Sequence, residues 1–200
     1  TDYIDLYQSH IDDADTPMEE TLDTYAQLIK AGKIRSIGAS NFTKERLEES
    51  FIISEKYNLP KYQTIQPLYN LYDRKDFEEN LEEFTLKNKI GVINYYSLAS
   101  GFLSGKYRSA EDLAKSARGG RVEDYLNERG FQILKGLDQV SKKYNCSIAT
   151  VAIAWLLKRK SVTAPIVSAT SIEQLDQVLS ATKLNLDEDS IQILNNMSRY

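Results

Sequence analysis

Gly32-Lys33-Ile34-Arg35-Ser36-Ile37-Gly38-Ala39-Ser40-Asn41 passes from a helix-ending glycine, through a β-branched run, to a small polar tip. A buried parallel strand reads this way when it ends at a functional loop. Asp5-Leu6-Tyr7-Gln8-Ser9-His10, Ile65-Gln66-Pro67-Leu68-Tyr69-Asn70, Asn94-Tyr95-Tyr96-Ser97-Leu98-Ala99-Ser100-Gly101 and Pro165-Ile166-Val167-Ser168-Ala169 repeat the theme. Four of these five segments lead directly into a helical pattern. Strand, polar tip and helix in repeated order build either a β/α barrel or a doubly wound sheet.

Local signals place the helices between those strands. Thr16-Pro17-Met18-Glu19 reads as a capping box with proline at the first helical position, and Leu22, Tyr25, Ala26 and Ile29 fall on one face before Gly32. Further helices are predicted over about 44–57, 76–88, 128–144 and 147–160, the last carrying Val151, Ala154, Trp155 and Leu156 inward. Ser171 and Gln174 form another capping box, and Ile191, Leu194 and Met197 mark a terminal helix. The stretch from Leu103 to Asn127 is long, irregular and rich in Gly, Ser, Arg and Lys, as functional loops are. No repeat, linker or low-complexity tract divides the chain, so residues 1–200 read as one domain.

Composition excludes several classes. With 200 residues, 42% hydrophobic and 27% charged, the chain can bury a substantial core. A net charge of -4 without a long basic run argues against nucleic acid and against an anionic membrane surface as partners. One cysteine, Cys146, and one histidine exclude an intramolecular disulfide and speak against a Cys/His zinc site, so no metal is expected. Cys146 reads as a packed helix-end residue. The longest apolar run, Val151 to Leu157, is too short to span a bilayer, and no signal-peptide pattern is visible, which makes the cytoplasm the expected compartment.

The motifs carry a family resemblance. Asp2-Tyr3-Ile4-Asp5-Leu6-Tyr7-Gln8-Ser9-His10, Thr16-Pro17-Met18-Glu19-Glu20-Thr21, Gly32 to Phe42 and Leu98-Ala99-Ser100-Gly101-Phe102-Leu103-Ser104-Gly105-Lys106-Tyr107 resemble, in order and spacing, the C-terminal five-eighths of an aldo-keto reductase. The wording is nearer the broad bacterial branch, and its relative the potassium-channel β subunit, than the aldose-reductase branch. The implied fold class is α/β, an incomplete (β/α)8 TIM barrel with about five of eight units and the N-terminal units missing. The family's catalytic Asp, Tyr and Lys belong to the first three units and are not among these residues, so the 200 residues alone are expected to be inactive, as a fragment or a truncated gene product.

The resemblance implies a cofactor half-site. His10 matches the histidine that orients and polarises the substrate carbonyl beside a tyrosine acid. Ser40, Asn41 and Gln66 resemble the groups that hydrogen-bond the nicotinamide carboxamide, although Asn41 read by itself serves equally as a helix or turn cap. Tyr95 matches the aromatic residue on which the nicotinamide stacks, with Tyr96, or a purely structural tyrosine pair, as the alternative. Ser97, Leu98, Gly101, Gly105 and Lys106 resemble the belt over the pyrophosphate, with small residues for close approach and a lysine for charge. Arg118 is placed toward the adenine.

Ser168, Thr170, Gln174 and Gln177 match positions that hold the adenosine 2′-phosphate and adenine near a helix N-terminus. Here the chain departs from the family, which often has glycine where Ser168 stands, arginine or serine for Thr170, and an acid-amide pair for Gln177 and Val178. The expected cofactor is therefore NADP first and NAD second. The expected function is reduction of an aldehyde or ketone, a small-molecule carbonyl substrate, by an NADP-linked oxidoreductase. A nucleotide-binding regulatory subunit of the channel-β kind, which carries asparagine where this chain has His10, is the alternative, and a remnant without ligand is the third. Oligomeric state is open at this level.

Overall fold

The computed structural model describes residues 1–115 and 119–200. The chain separates into two compact units, one of residues 1–67 and 76–93, the other of residues 68–75 and 94–200.

The first unit is a four-stranded parallel sheet in sequential order, β1 (Ile4–Ser9), β2 (Ile34–Ser40), β3 (Thr64–Gln66) and β4 (Gly91–Val92). Helices α1 (Met18–Lys30), α2 (Lys44–Tyr57) and α3 (Glu82–Asn88) fill the crossovers, as parallel pairing requires. Ile37, Ala39, Ile65 and Val92 are fully buried, the near-continuous apolar content expected of parallel strands. β1 has a neighbour on one side only, and Ile4 and Tyr7 remain 43% and 44% exposed.

On the other side-chain row, Gln8, Gly38, Thr64 and Gly91 lie in register across all four strands. The row leaves no space at its second position. A Cβ on Gly38 would sit 2.2 Å from Thr64 Oγ1 and 2.9 Å from Gln8 Cγ.

One local expectation fails in this unit. α1 begins at Met18 with Pro17 at the capping position and no side-chain cap, so Thr16 lies one residue too early for a capping box. Its hydroxyl donates instead to Asp13 Oδ2 at 2.7 Å, a carboxylate that local turn geometry puts within reach. The single helix expected over 76–88 is present, with a wide i→i+5 turn at Phe77–Leu81 running directly into α3. Phe77, Leu81, Phe84 and Thr85 are all buried. By contrast, α2 has the expected limits, with Thr43 capping Arg46 N and Asn58 closing it in the left-handed region.

The second unit is helical. α4 (Glu128–Tyr144), α5 (Ile148–Leu157), α6 (Ile172–Ser180) and α7 (Glu188–Met197) are capped in turn by Asn127, Ser147, Ser171 and Asp187, each accepting from the backbone N–H three residues on. α5 is buried almost throughout, and its Trp155 indole donates to Asn195 Oδ1 of α7 at 2.9 Å. Arg74 is buried in the same unit, donating to Ser198 Oγ at 2.7 Å and Asn195 O at 3.1 Å. Cys146 lies just beyond α4, its N–H closing back on Ser141 O.

The segment at Pro165 does not form the expected strand. Only Ile166 N reaches Asn94 O, at 2.9 Å, and Pro165 has no N–H with which to extend a ladder. The α6 cap also differs from a strict capping box, because Gln174 Oε1 accepts from Thr170 N at 3.0 Å rather than from the N–H of Ser171.

Candidate active site

The parallel register carries the ends of β1, β2 and β3 to the same edge of the sheet, with Ser9 opposite Ala39 and Ser40 opposite Gln66. His10 and Asn41 follow directly, and both are exposed. A hydrogen-bonded chain joins the three ends. Asn41 Nδ2 donates to His10 O at 2.8 Å and lies 3.3 Å from Ser40 Oγ, while Ser40 Oγ donates to Gln66 O at 2.8 Å. Asn41 adopts φ 56°, a left-handed conformation that asparagine tolerates better than most residues, and this turns its amide back toward β1. His10, Ser40, Asn41 and Gln66 are thus brought together, with Ser40 buried and its hydroxyl used internally.

Behind His10 the chain is fixed at two further points. Ser9 Oγ lies 2.7 Å from Tyr25 OH and 3.3 Å from Tyr62 OH, in a cluster where Phe42 and Tyr25 meet the Tyr62 ring edge-on. Burial pushes the Tyr62 phenol up to about 12, only partly offset by the Ser9 bond. Asp12 receives a two-pronged bond from Arg46 of α2, Nε to Oδ2 at 2.7 Å and Nη2 to Oδ1 at 2.9 Å. The Asp12 bond, with Glu49 beside it, holds the guanidinium well above its ordinary range. Sequence reading missed Ser9, Tyr25, Tyr62, Asp12 and Arg46, and only Ser9, next to His10, carried any signal.

In the second unit, Tyr95 is half-buried, bridges in parallel to Leu68 and meets Tyr96 edge-on at 5.1 Å. Tyr96 is 47% exposed and has φ 53°. Its carbonyl accepts from Ala99 N at 2.7 Å and from the buried Asn70 amide at 3.0 Å. Asn70 also binds Asp73, whose carboxylate accepts from Tyr125 OH at 3.0 Å; burial, and then the Asp73 charge, drive that phenol upward. Asn70 belongs to the quoted strand-tip motif and was therefore legible as a candidate.

Beyond Leu98, half-buried, comes a tight turn over Ala99–Ser104 in which Ala99, Ser100 and Gly101 have φ 47°, 56° and 100°. Such a run is backbone strain of the kind found at ligand-binding turns. Gly105, φ 78°, ends it. Lys106 is exposed, and its ammonium lies 3.7 Å from where a Gly101 Cβ would be. Gly101 thus lies on the strained turn, with Leu98 and Gly105 at its ends, Tyr95 and Tyr96 ahead of it and Lys106 just after, whereas Ser97 is buried.

Ser168 and Thr170 are exposed ahead of α6, with Thr170 N and Oγ1 both bonded to Gln174 Oε1 at 3.0 and 3.1 Å. Gln177 lies on the next turn, half-buried, and its carbonyl accepts from Thr150. Arg118 lies outside the described residues. Among the described residues no group of three His, Cys, Asp or Glu side chains is placed to hold a metal ion, and no helix is long and apolar enough to cross a membrane.

A model of the aldo/keto reductase family matches residues 1–199. The chain belongs to that family. It is 30% identical over 203 residues to L-glyceraldehyde 3-phosphate reductase of Escherichia coli (strain K12), covering 98% of this chain and 55% of that protein. Aldo-keto reductase YhdN of Bacillus subtilis (strain 168) is 31% identical over 199 residues, covering 98% and 58%. The crystal structure of a thermostable aldo-keto reductase with the inhibitor epalrestat superposes with a TM-score of 0.76 at 29% identity, covering 98% of this chain and 61% of that one. The chain spans about half the length of the curated relatives it matches. As an aldo-keto reductase chain with a four-stranded parallel sheet, it has the fold class of an incomplete (β/α)8 barrel.

Proposed function

We propose that the protein containing this chain is an NADP(H)-linked oxidoreductase that reduces an aldehyde or ketone to the alcohol, acting in the cytoplasm on a small dissolved substrate. The observation that carries this reading, beside family membership, is the chain His10 O to Asn41 to Ser40 to Gln66 O, which gathers a histidine and two amides at the strand ends. The residues fit a nicotinamide nucleotide. In the first unit the exposed Asn41 amide suits a flat carboxamide-bearing ring, and in the second the strained small-residue turn with Lys106 against Gly101 suits phosphate.

In this reading the His10 imidazole orients the substrate carbonyl, and Asn41 and Gln66 fix the nicotinamide amide. Tyr95 stacks on the ring, Gly101, Gly105 and Lys106 face the pyrophosphate, and Ser168, Thr170 and Gln174 face the adenosine phosphate. A bound reduced nicotinamide supplies the hydride. The reading takes the proton donor to be a tyrosine supplied from outside this chain. Thr170, where the family often has arginine or serine, weakens a strict preference for NADP, so NAD stands as the second cofactor of this reading.

The test is aldehyde-dependent NADPH oxidation by the full-length protein, with His10→Ala beside it. The variant is expected to lose at least about 10²-fold in kcat, the scale of a positioned polarising group, with nucleotide affinity little changed. Tight nucleotide binding without turnover on any simple carbonyl would favour the regulatory-subunit reading instead.

A further inference from the structure

Asn94 and Ser97 bracket Tyr95 and Tyr96, and between them they hold both main-chain polar groups of Ile166. Asn94 O accepts from Ile166 N at 2.9 Å, and the Ser97 hydroxyl donates to Ile166 O at 2.7 Å. The same hydroxyl accepts from Asn94 Nδ2 at 3.1 Å, and that amide also donates to Tyr69 O at 2.7 Å. Ser97 is 2% exposed and Asn94 0% exposed. A hydroxyl has one proton, and here it is committed to Ile166 O, so Ser97 offers none to a ligand. Ile166 is itself 41% exposed, and the two hydrogen bonds tie its main chain to the Asn94–Ser97 segment.

Two residues beyond Ile166 begin Ser168, Ala169 and Thr170, which lead into α6. At the other end of the latch, the Tyr96 carbonyl is pinned by Ala99 N and Asn70. We propose that Ser97 is a positioning residue, a latch between the Tyr95–Tyr96 turn and the segment entering Ser168–Thr170, through which occupation of one end of the nucleotide site organises the other. This rests on the reading that the turn takes the nicotinamide end and the segment the adenosine phosphate end.

The experiment titrates the full-length protein with reduced nicotinamide mononucleotide and adenosine 2′,5′-bisphosphate, singly and together, by calorimetry. In the unaltered protein each fragment is expected to tighten the other roughly three- to tenfold, the coupling one buried hydrogen bond can carry. Ser97→Ala should abolish that mutual tightening while each single-fragment affinity stays within about twofold, and Ser97→Thr, which keeps the hydroxyl, should restore it. If alanine prevents folding, Ser97→Cys, of similar shape but a weak donor, takes its place. Mutual tightening that survives the loss of the hydroxyl overturns the latch, as does a variant that merely weakens each fragment alone. Fragments that bind the unaltered protein independently overturn it too, with the nucleotide reading intact. Failure of both fragments and of NADPH to bind overturns that reading and the latch with it.

Discussion

Asn41 donates its side-chain amide to the main-chain carbonyl of His10 across 2.8 Å, although the two residues are 31 positions apart in sequence. The bond is possible only because Asn41 sits at φ 56°, so the backbone conformation and the amide contact can be separated by substitution. Asn41→Gly keeps the left-handed turn at no steric cost and loses the amide, for an expected loss of about 1 kcal/mol. Asn41→Ala loses both and should be about 1 kcal/mol worse again. Chemical denaturation of the two variants checks this ranking, and equal stabilities would show that the turn is not held in this conformation.

Gly38 stands in its sheet row without room for a side chain. Gly38→Ala would drive a Cβ to 2.2 Å from Thr64 Oγ1, and overpacking of that kind costs about 1–3 kcal/mol. Adding Thr64→Ala to the same chain removes the clashing oxygen and should return most of the loss. A double variant no more stable than Gly38→Ala alone would assign the strain to Gln8 or to the backbone.

The two tyrosines that end the fourth strand region make different predictions. Tyr95→Ala should weaken NADPH binding by about 1–2 kcal/mol, the scale of an aromatic contact with its buried area. Tyr96→Phe, which keeps the ring and its edge-on contact with Tyr95, should change little. Fluorescence titration decides, and the reverse order would move the stacking position by one residue.

Thr170 precedes the cap of α6 and is exposed. Replacing it with arginine adds a guanidinium suited to paired bonds with phosphate oxygens. Thr170→Arg is expected to raise the ratio of NADPH to NADH affinity. An unchanged ratio would place the 2′-phosphate elsewhere.

Asp187 caps α7, accepting from Ser190 N at 2.9 Å, and also receives the Lys143 ammonium at 2.6 Å. The Lys143 bond, then the Ser190 bonds, hold its carboxyl well below the usual carboxylate range. A carboxylate lowered in the folded state stabilises the fold at neutral pH, and that contribution fades as pH falls below the ordinary value of about 3.9. Asp187→Asn keeps a capping oxygen and loses the charge. It should therefore lower the melting temperature at pH 7, by an amount that narrows as pH falls below about 4, and a gap that stays constant across that range would contradict the assignment.

The amino-acid sequence by itself determined where the helices lie, the cap at Ser171, and the polar tips at His10, Asn41 and Gln66. These are signals carried within a few residues, by side-chain periodicity, by capping oxygens and by small residues after a β-branched run. The tertiary structure alone decided what those tips do. Asn41 reaches His10 because β1 and β2 pair in one parallel register, and Ser97 reaches Ile166 across 69 positions because that segment contributes one main-chain bond in place of a strand. It also decided against Thr16 as a cap, since Asp13 captures its hydroxyl and the helix starts one residue later. Register and long-range hydrogen bonds belong to pairs of segments, so no single stretch of sequence encodes them.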